Sequence, residues 1–316
     1  MYGDFLVLFA MILTGYILRK INCINDQMNG GLNKFILYFA YPCLIVYNVG
    51  TMQMSRTILY NYFIALVLGV ILLFVYAGYA YGYGKLRHYP DRLANVAELS
   101  VTASNNGFMG FPVALIFFGQ EGLFMMMAAN AAMNIFYFSY GIHAMRRNNH
   151  DRDTVSVKMI LKTIWSVLIN PNIVALFIGF GVYLIKAPLE NAVGEYLLTM
   201  GRIATPMSMV FIGSTLAGSK FLDMFKNRIV WGSAINKLIM LPAITIGICY
   251  FLPIDPMIKG LLTLSAALPS AATTSMMAEQ EGANQELASK ILFFTTVLSM
   301  ATLPLAVGII NKVFGI

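Results

Sequence analysis

Ten apolar runs divide this chain, and no other feature constrains its fold as strongly. They cover about Phe5–Leu18, Leu32–Gly50, Ile58–Tyr83, Leu93–Phe118, Leu123–Ala144, Ile160–Ile185, Gly194–Ala217, Ile229–Leu252, Met257–Ala278 and Leu287–Ile310. A helix that crosses a bilayer needs roughly 20 predominantly apolar residues. In hydrocarbon the backbone must satisfy its own hydrogen bonds, which a helix does within a single segment. The pattern predicts an all-α polytopic membrane protein with ten transmembrane helices. Composition agrees: 59% of residues are hydrophobic and 11% charged, against about 25% charged in soluble domains. The first run has Asp4 before it and Arg19-Lys20 after it. A secretory signal has its positive charge first, so this run reads as a retained helix.

Lys and Arg collect on the cytoplasmic side of membrane proteins. Of 21 such residues, Arg56, Lys186, Arg202, Lys259 and Lys312 fall on one side of the runs and the other 16 on the opposite side. That count puts both termini outside and the connection 146–162 in the cytoplasm, as in a multi-pass protein of the cell membrane. The net charge of +7 is then a topology signal, and no nucleic-acid partner is expected.

The chain also repeats itself. Gly119-Gln120-Glu121-Gly122 recurs as Glu279-Gln280-Glu281-Gly282, a shift of 160, and Pro42 matches Pro206, a shift of 164. Five runs per half is an odd number, so the halves insert in opposite directions. The expected division is a first five-helix repeat over 1–145, the connection 146–162, and an inverted five-helix repeat over 163–316. Inverted repeats with a broken helix in each half place a binding site near the membrane midplane.

Both breaks are written in the sequence. The fourth run carries Ser104-Asn105-Asn106-Gly107-Phe108-Met109-Gly110-Phe111-Pro112 at its centre. Asn and Gly are weak helix formers, and Pro lacks an N–H and clashes with the carbonyl four residues back. The ninth run carries Leu268-Pro269-Ser270-Ala271-Ala272-Thr273-Thr274. The breaks are similar in kind but not superposable, because a shift of 160 carries Pro112 to Ala272. Backbone groups freed in lipid are costly unless they face protein or a wet cavity. Asn105, Asn106, Gly107, Pro112, Pro269, Ser270 and Thr273 are therefore candidate binding residues.

Two helix N-termini meet near the midplane in this arrangement, with free N–H groups and positive dipole ends. The first half-helices end there too, and their carbonyls offer a place for a cation. No acidic residue lies at either break, whereas a cation or proton carrier would be expected to keep one there. Lys237 lies about 12 Å into the eighth run, at 1.5 Å per residue. It can snorkel to the surface, pair with Glu98 at similar depth, or contact substrate. Asn130 and Asn134 share one helix face at i,i+4, and line a pathway or bond a neighbouring helix. The balance favours a small organic carboxylate, dicarboxylates included, as the ligand.

Other classes fit less well. There is no HExxH, no GxSxG and no paired intramembrane Asp, so an enzyme is not expected. Cys23, Cys43 and Cys249 give neither a disulfide framework nor metal spacing, and His88, His143 and His150 lie near loops. No metal or cofactor is expected. A cation-coupled or cation-exchanging carrier is the rival reading, and a non-transporting, receptor-like protein is a third.

Four motifs taken in order carry a family resemblance: Asn105-Asn106-Gly107-Phe108-Met109-Gly110-Phe111-Pro112, Asn170-Pro171-Asn172, Thr205-Pro206-Met207-Ser208 with Gly213, and Leu268-Pro269-Ser270-Ala271. Over nearly the whole chain they resemble the auxin efflux carrier family of membrane transporters. That family includes plant auxin exporters and bacterial permeases, some described as malonate or malate carriers. The resemblance implies a bile acid symporter-like fold worked by alternating access. Runs one, two, six and seven would form a scaffold, and runs three to five and eight to ten a moving transport unit. Helices four and nine would cross at their prolines with substrate beside the crossing. By match to the motifs, Asn105, Asn106, Pro112 and Pro269 carry over as crossing residues. Plant members have a long cytoplasmic loop between the halves. Its absence here counts against plant-type regulation and against auxin itself. The expected partners are the lipid bilayer and a small organic anion. Direction of flux, coupling ion and oligomeric state, a homodimer among the options, stay open.

Overall fold

A computed structural model describes residues 2–147, 165, 169–218 and 226–316. Each of the ten apolar runs contains helix, and the described residues form no strand beyond one isolated bridge. Among the described residues, five helices are long and apolar enough to cross a membrane: Asp26–Thr51, Arg56–Leu86, Asn106–Arg146, Arg228–Phe251 and Gln285–Phe314. Pro171–Leu184 is a shorter apolar helix. Polar side chains at the helix starts work as caps. Asn25, Asn170, Asn191, Asn227, Asp255 and Asn284 each accept a hydrogen bond from a first-turn N–H. These are the N–H groups a helix leaves without an internal partner.

Three prolines inside the runs are absorbed by local widening. The π-turns Ile36–Ala40, Asn106–Gly110 and Asn236–Met240 each end two residues before a proline, Pro42, Pro112 and Pro242. A proline has no N–H to give and crowds the carbonyl of the preceding turn. An i→i+5 turn makes room there without ending the helix. The turn between runs four and five is made by Gly119, whose φ of 65° is left-handed. In the repeated Glu-Gly stretch the left-handed residue is Gly282, with φ of 67°. The motif thus turns at its first residue in one copy and at its last in the other.

Contacts divide the chain into two compact units. One comprises Met1–Leu59, Phe111–Phe124 and Ile164–Gly218. Its helices Tyr2–Lys20 and Ala204–Ala217 touch through backbone: a Cβ at Gly15 would lie 2.1 Å from the Val210 carbonyl oxygen, and one at Gly213 would lie 1.8 Å from that of Ile12. Aromatic pairs draw in the segment 111–124. Phe111 meets Tyr41 edge-on at 5.3 Å, and Phe117 stacks on Phe5 at 4.5 Å.

The other unit comprises Tyr60–Gly110, Met125–Thr163 and Ser219–Ile316. Phe74 packs edge-on against Phe136 at 5.4 Å, and Trp231 against Phe294 at 4.7 Å. Hydroxyls tie its helices together: buried Tyr76 bonds Thr245, and half-buried Tyr79 donates to Asn236. This unit holds both breaks.

Candidate functional site

The helix Asp91–Thr102 stops at Ala103, which is extended, and helix resumes with the π-turn at Asn106. The helix Pro256–Ala267 likewise stops at Leu268 and resumes at Ala272. The two freed segments pair with each other. Ser104 and Ser270 form an antiparallel bridge. Asn105 N–H donates to the Pro269 carbonyl at 2.9 Å, and Ala271 N–H donates to that of Ala103 at 3.2 Å. Pro269 serves here because its missing N–H is not needed and its carbonyl is. The arrangement settles much of the backbone that the breaks release, which matters because an unpaired buried amide costs about 1–3 kcal/mol.

Side chains complete the pairing. Ser270 Oγ donates to the Ser100 carbonyl at 2.7 Å, and Ser270 N–H donates to Thr295 Oγ1 at 3.1 Å. Both polar groups of Ser270 are thus engaged internally. Thr273 Oγ1 donates to Tyr137 OH at 2.7 Å, which also bonds Thr274 Oγ1 at 3.0 Å. That pair anchors the helix Ala272–Gln280 rather than facing the break. Pro112 is buried in the first turn of the helix Phe111–Phe136, after the break. Proline is well suited to a first turn, where its N–H would be unpaired anyway.

Among the described residues, three groups of the Asn-Asn-Gly stretch remain open to a ligand. Asn106 is 1% exposed; its Oδ1 accepts from Ser265 Oγ at 2.8 Å, but its Nδ2 has no acceptor among the described residues. The Asn105 amide, 6% exposed, makes no side-chain hydrogen bond among the described residues. Gly107 has open space where a Cβ would stand, and its N–H has no partner among the described residues. All three come from the Asn-Asn-Gly stretch. An amide that gives its oxygen to Ser265 and keeps both N–H groups buried and unspent is a donor waiting for an acceptor.

Lys237 is fully buried, so it does not snorkel. Its Nζ donates to Ser104 Oγ at 2.6 Å, one residue before Asn105. Glu98 is not its partner. The Glu98 carboxylate takes both arms of Arg147, at 3.1 and 3.2 Å, and the Tyr140 hydroxyl. Asn130 and Asn134 are part-exposed on their shared helix face, and no hydrogen bond joins them to the paired segment. Their neighbours Ala129 and Met133 border a gap of 10 Å³ that also touches Ser104 and Ser265. That is about the room of one water.

The structure therefore brings Asn105, Asn106, Gly107, Pro269, Ser270 and, through Ser104, Lys237 to one place. It leaves Pro112, Thr273, Asn130 and Asn134 outside the hydrogen-bonded cluster. Ser100, Ser265 and Thr295 join the site without having been singled out. Ser and Thr are common in apolar helices, where they bond the preceding turn, so their type alone gave no signal.

A family model described as "Membrane transport protein" matches residues 1–307. An "Uncharacterized transporter" of Methanothermobacter thermautotrophicus is 22% identical over 306 residues, covering 95% of each chain. An uncharacterized transporter of Methanocaldococcus jannaschii is 23% identical over 303 residues, covering 95% of this chain and 96% of its own. A Rhizobium meliloti protein named "Putative malonate transporter" is 24% identical over 307 residues, covering 95% of this chain and 92% of its own.

Proposed function

Because this chain belongs to the membrane transport protein family, the auxin efflux carriers its motifs resemble, we propose that it is a secondary transporter for a small organic carboxylate. The substrate binds where the two breaks pair. The observation that carries this reading is the Asn106 Nδ2 group, buried and without an acceptor. A carboxylate oxygen satisfies it, and the Asn105 amide and Gly107 N–H offer further donors. Hydrogen bonds to a charged acceptor are roughly twice as strong as neutral ones. Lys237 sits behind Ser104, with its Nζ 2.6 Å from the Ser104 hydroxyl. No carboxylate belongs to the break segments 103–110 and 268–274. The relative named for malonate leans toward an anion as well.

The gap beside Ser104 and Ser265, at 10 Å³, is far smaller than a dicarboxylate. Binding then requires opening, which alternating access supplies. On this reading ten helices form two inverted repeats, helices four and nine cross at their breaks, and both termini lie outside. Runs one, two, six and seven act as scaffold. In support, Met1–Leu59 and Ile164–Gly218 group together, and runs three, eight, nine and ten fall in the unit that holds the breaks. The segment Phe111–Phe124 departs from that scheme by grouping with the first unit.

The test is direct binding of malonate and of its uncharged diamide to the purified protein. The acid is expected to bind at least about tenfold tighter, about 1.4 kcal/mol. Lys237→Gln should weaken the acid more than the amide. Equal affinity for acid and amide, or tighter binding of an organic cation, would overturn the anion reading.

A further inference from the structure

The unit that holds the breaks has a second cavity at a different level. Its volume is 460 Å³, and its lining includes Arg92, Asn95, Met145, Arg147, Gly282 and Asn284. Asn95 stands eight residues before the break at Ala103, about 12 Å along a helix. Ligand sites typically enclose about 300–1,000 Å³, so this space is large enough for a small molecule or a headgroup. Among the described residues, two guanidinium groups and two carboxamides line it, and no carboxylate does.

The surrounding acids are already engaged. Glu98 takes both arms of Arg147, and Glu281 takes Arg146 Nε at 2.6 Å. Asp91 holds Lys85 at 3.1 Å, and Glu286 holds Lys290 at 2.6 Å. Glu279 accepts from Gln285 at 2.9 Å. Arg92, exposed at the rim, has no acidic partner among the described residues. Arg147 is fixed in position: its carbonyl accepts from Asn95 Nδ2 at 2.7 Å, and its guanidinium lies over the Tyr81 ring at 4.9 Å. Burial works against the Arg147 charge, but Glu98 and Tyr140 outweigh it and hold the pKa above its ordinary value. The helix Asp91–Thr102 also begins here, after Pro90, which supplies no side-chain cap. Its first-turn N–H groups add to the positive potential.

We propose that this cavity is a binding site for a phosphate-type oxyanion, separate from the carboxylate site at the breaks. Guanidinium groups present paired donors that match phosphate oxygens, and among the described residues no acid compensates Arg92. The same chemistry has two sources. One is a soluble phosphate; the other is the headgroup of an anionic lipid, which basic pockets between membrane helices also take.

The experiment measures thermal unfolding of the full-length protein in detergent against three probes: inorganic phosphate, short-chain phosphatidylglycerol and short-chain phosphatidylcholine, with ionic strength matched by chloride. Phosphate, phosphatidylglycerol or both should stabilise in a saturable way, and phosphatidylcholine should not. Stabilisation by phosphate assigns a soluble ligand; stabilisation by phosphatidylglycerol alone assigns the lipid. Arg92→Gln, a change at an exposed side chain, should keep the unliganded melting temperature and raise the apparent Kd of the anionic probe at least tenfold. The proposal is overturned if neither anion stabilises beyond the chloride control, if phosphatidylcholine stabilises as well as phosphatidylglycerol does, or if Arg92→Gln binds as the parent does.

Discussion

Asn106 shows what one side chain contributes at the break. Its oxygen is committed to Ser265 and its NH₂ is buried without an acceptor. A protein rarely leaves such a donor unpaired in a buried setting, because the cost is about 1–3 kcal/mol. A substrate acceptor removes that cost only while it is bound. Asn106→Leu is therefore expected to weaken carboxylate binding by about 10- to 100-fold, the equivalent of 1.5–3 kcal/mol for a bond to a charged group. The melting temperature should stay within a few degrees. Calorimetric titration against a binding-competent carboxylate checks this, and unchanged affinity would remove Asn106 from the site. Lys237 makes the complementary point. Its depth was visible from its place in the eighth run, but its partner was not. Glu98 lies at similar depth and turned instead to Arg147, because the end of helix Ile142–Arg146 delivers a guanidinium there.

At the scale of elements, glycine and proline decide what the helices can do. Pro42, Pro112 and Pro242 do not end their helices; each is preceded by a π-turn that yields to it. The true stops are Ala103 and Leu268, where extended backbone finds a partner across the pairing. Glycine sets the closest helix approach. At Gly213 a Cβ would lie 1.8 Å from the Ile12 carbonyl oxygen, so the backbone itself would have to move. Gly213→Val is expected to cost about 3 kcal/mol or more, above the usual range for overpacking, seen as a lower midpoint in detergent unfolding. Gly181→Ala is the control, since nothing lies within 4 Å of its added Cβ. It should be neutral or slightly stabilising by helix propensity. Equal midpoints for the two variants would show that the helices Tyr2–Lys20 and Ala204–Ala217 do not pack through these glycines.

At the scale of the molecule, the charge count makes a topological claim that labelling decides. In a background with Cys23, Cys43 and Cys249 replaced, a cysteine at Asn149, outside the described residues, should react with an impermeant reagent only from the cytoplasmic face. A cysteine at Glu190 should react only from outside. One run separates the two positions, so reaction of both from the same face would break the inverted arrangement. The two-unit division bears on the same question, because runs distant in sequence, such as the first and seventh, share a unit. Hydrophobicity cannot report that grouping, since lipid and protein interior are equally apolar to a buried Leu.

The sequence by itself determined the membrane class, a helix in each apolar run, the family, and the two places where helix gives way. Each of these follows from local chemistry: apolar length, motif residues in order, and residues that cannot hold a helix. Only the tertiary structure decided that the breaks pair through Asn105 and Ala271 amides, that Ser270 is spent on Ser100 and Thr295, that Lys237 meets Ser104, and that Asn106 keeps an unpaired donor. Those partners lie 133 residues apart in the case of Lys237 and Ser104, and 159 in that of Ser265 and Asn106. Residue type sets what a group can donate or accept. Which acceptor it reaches depends on where distant helices stop, and no local pattern encodes that.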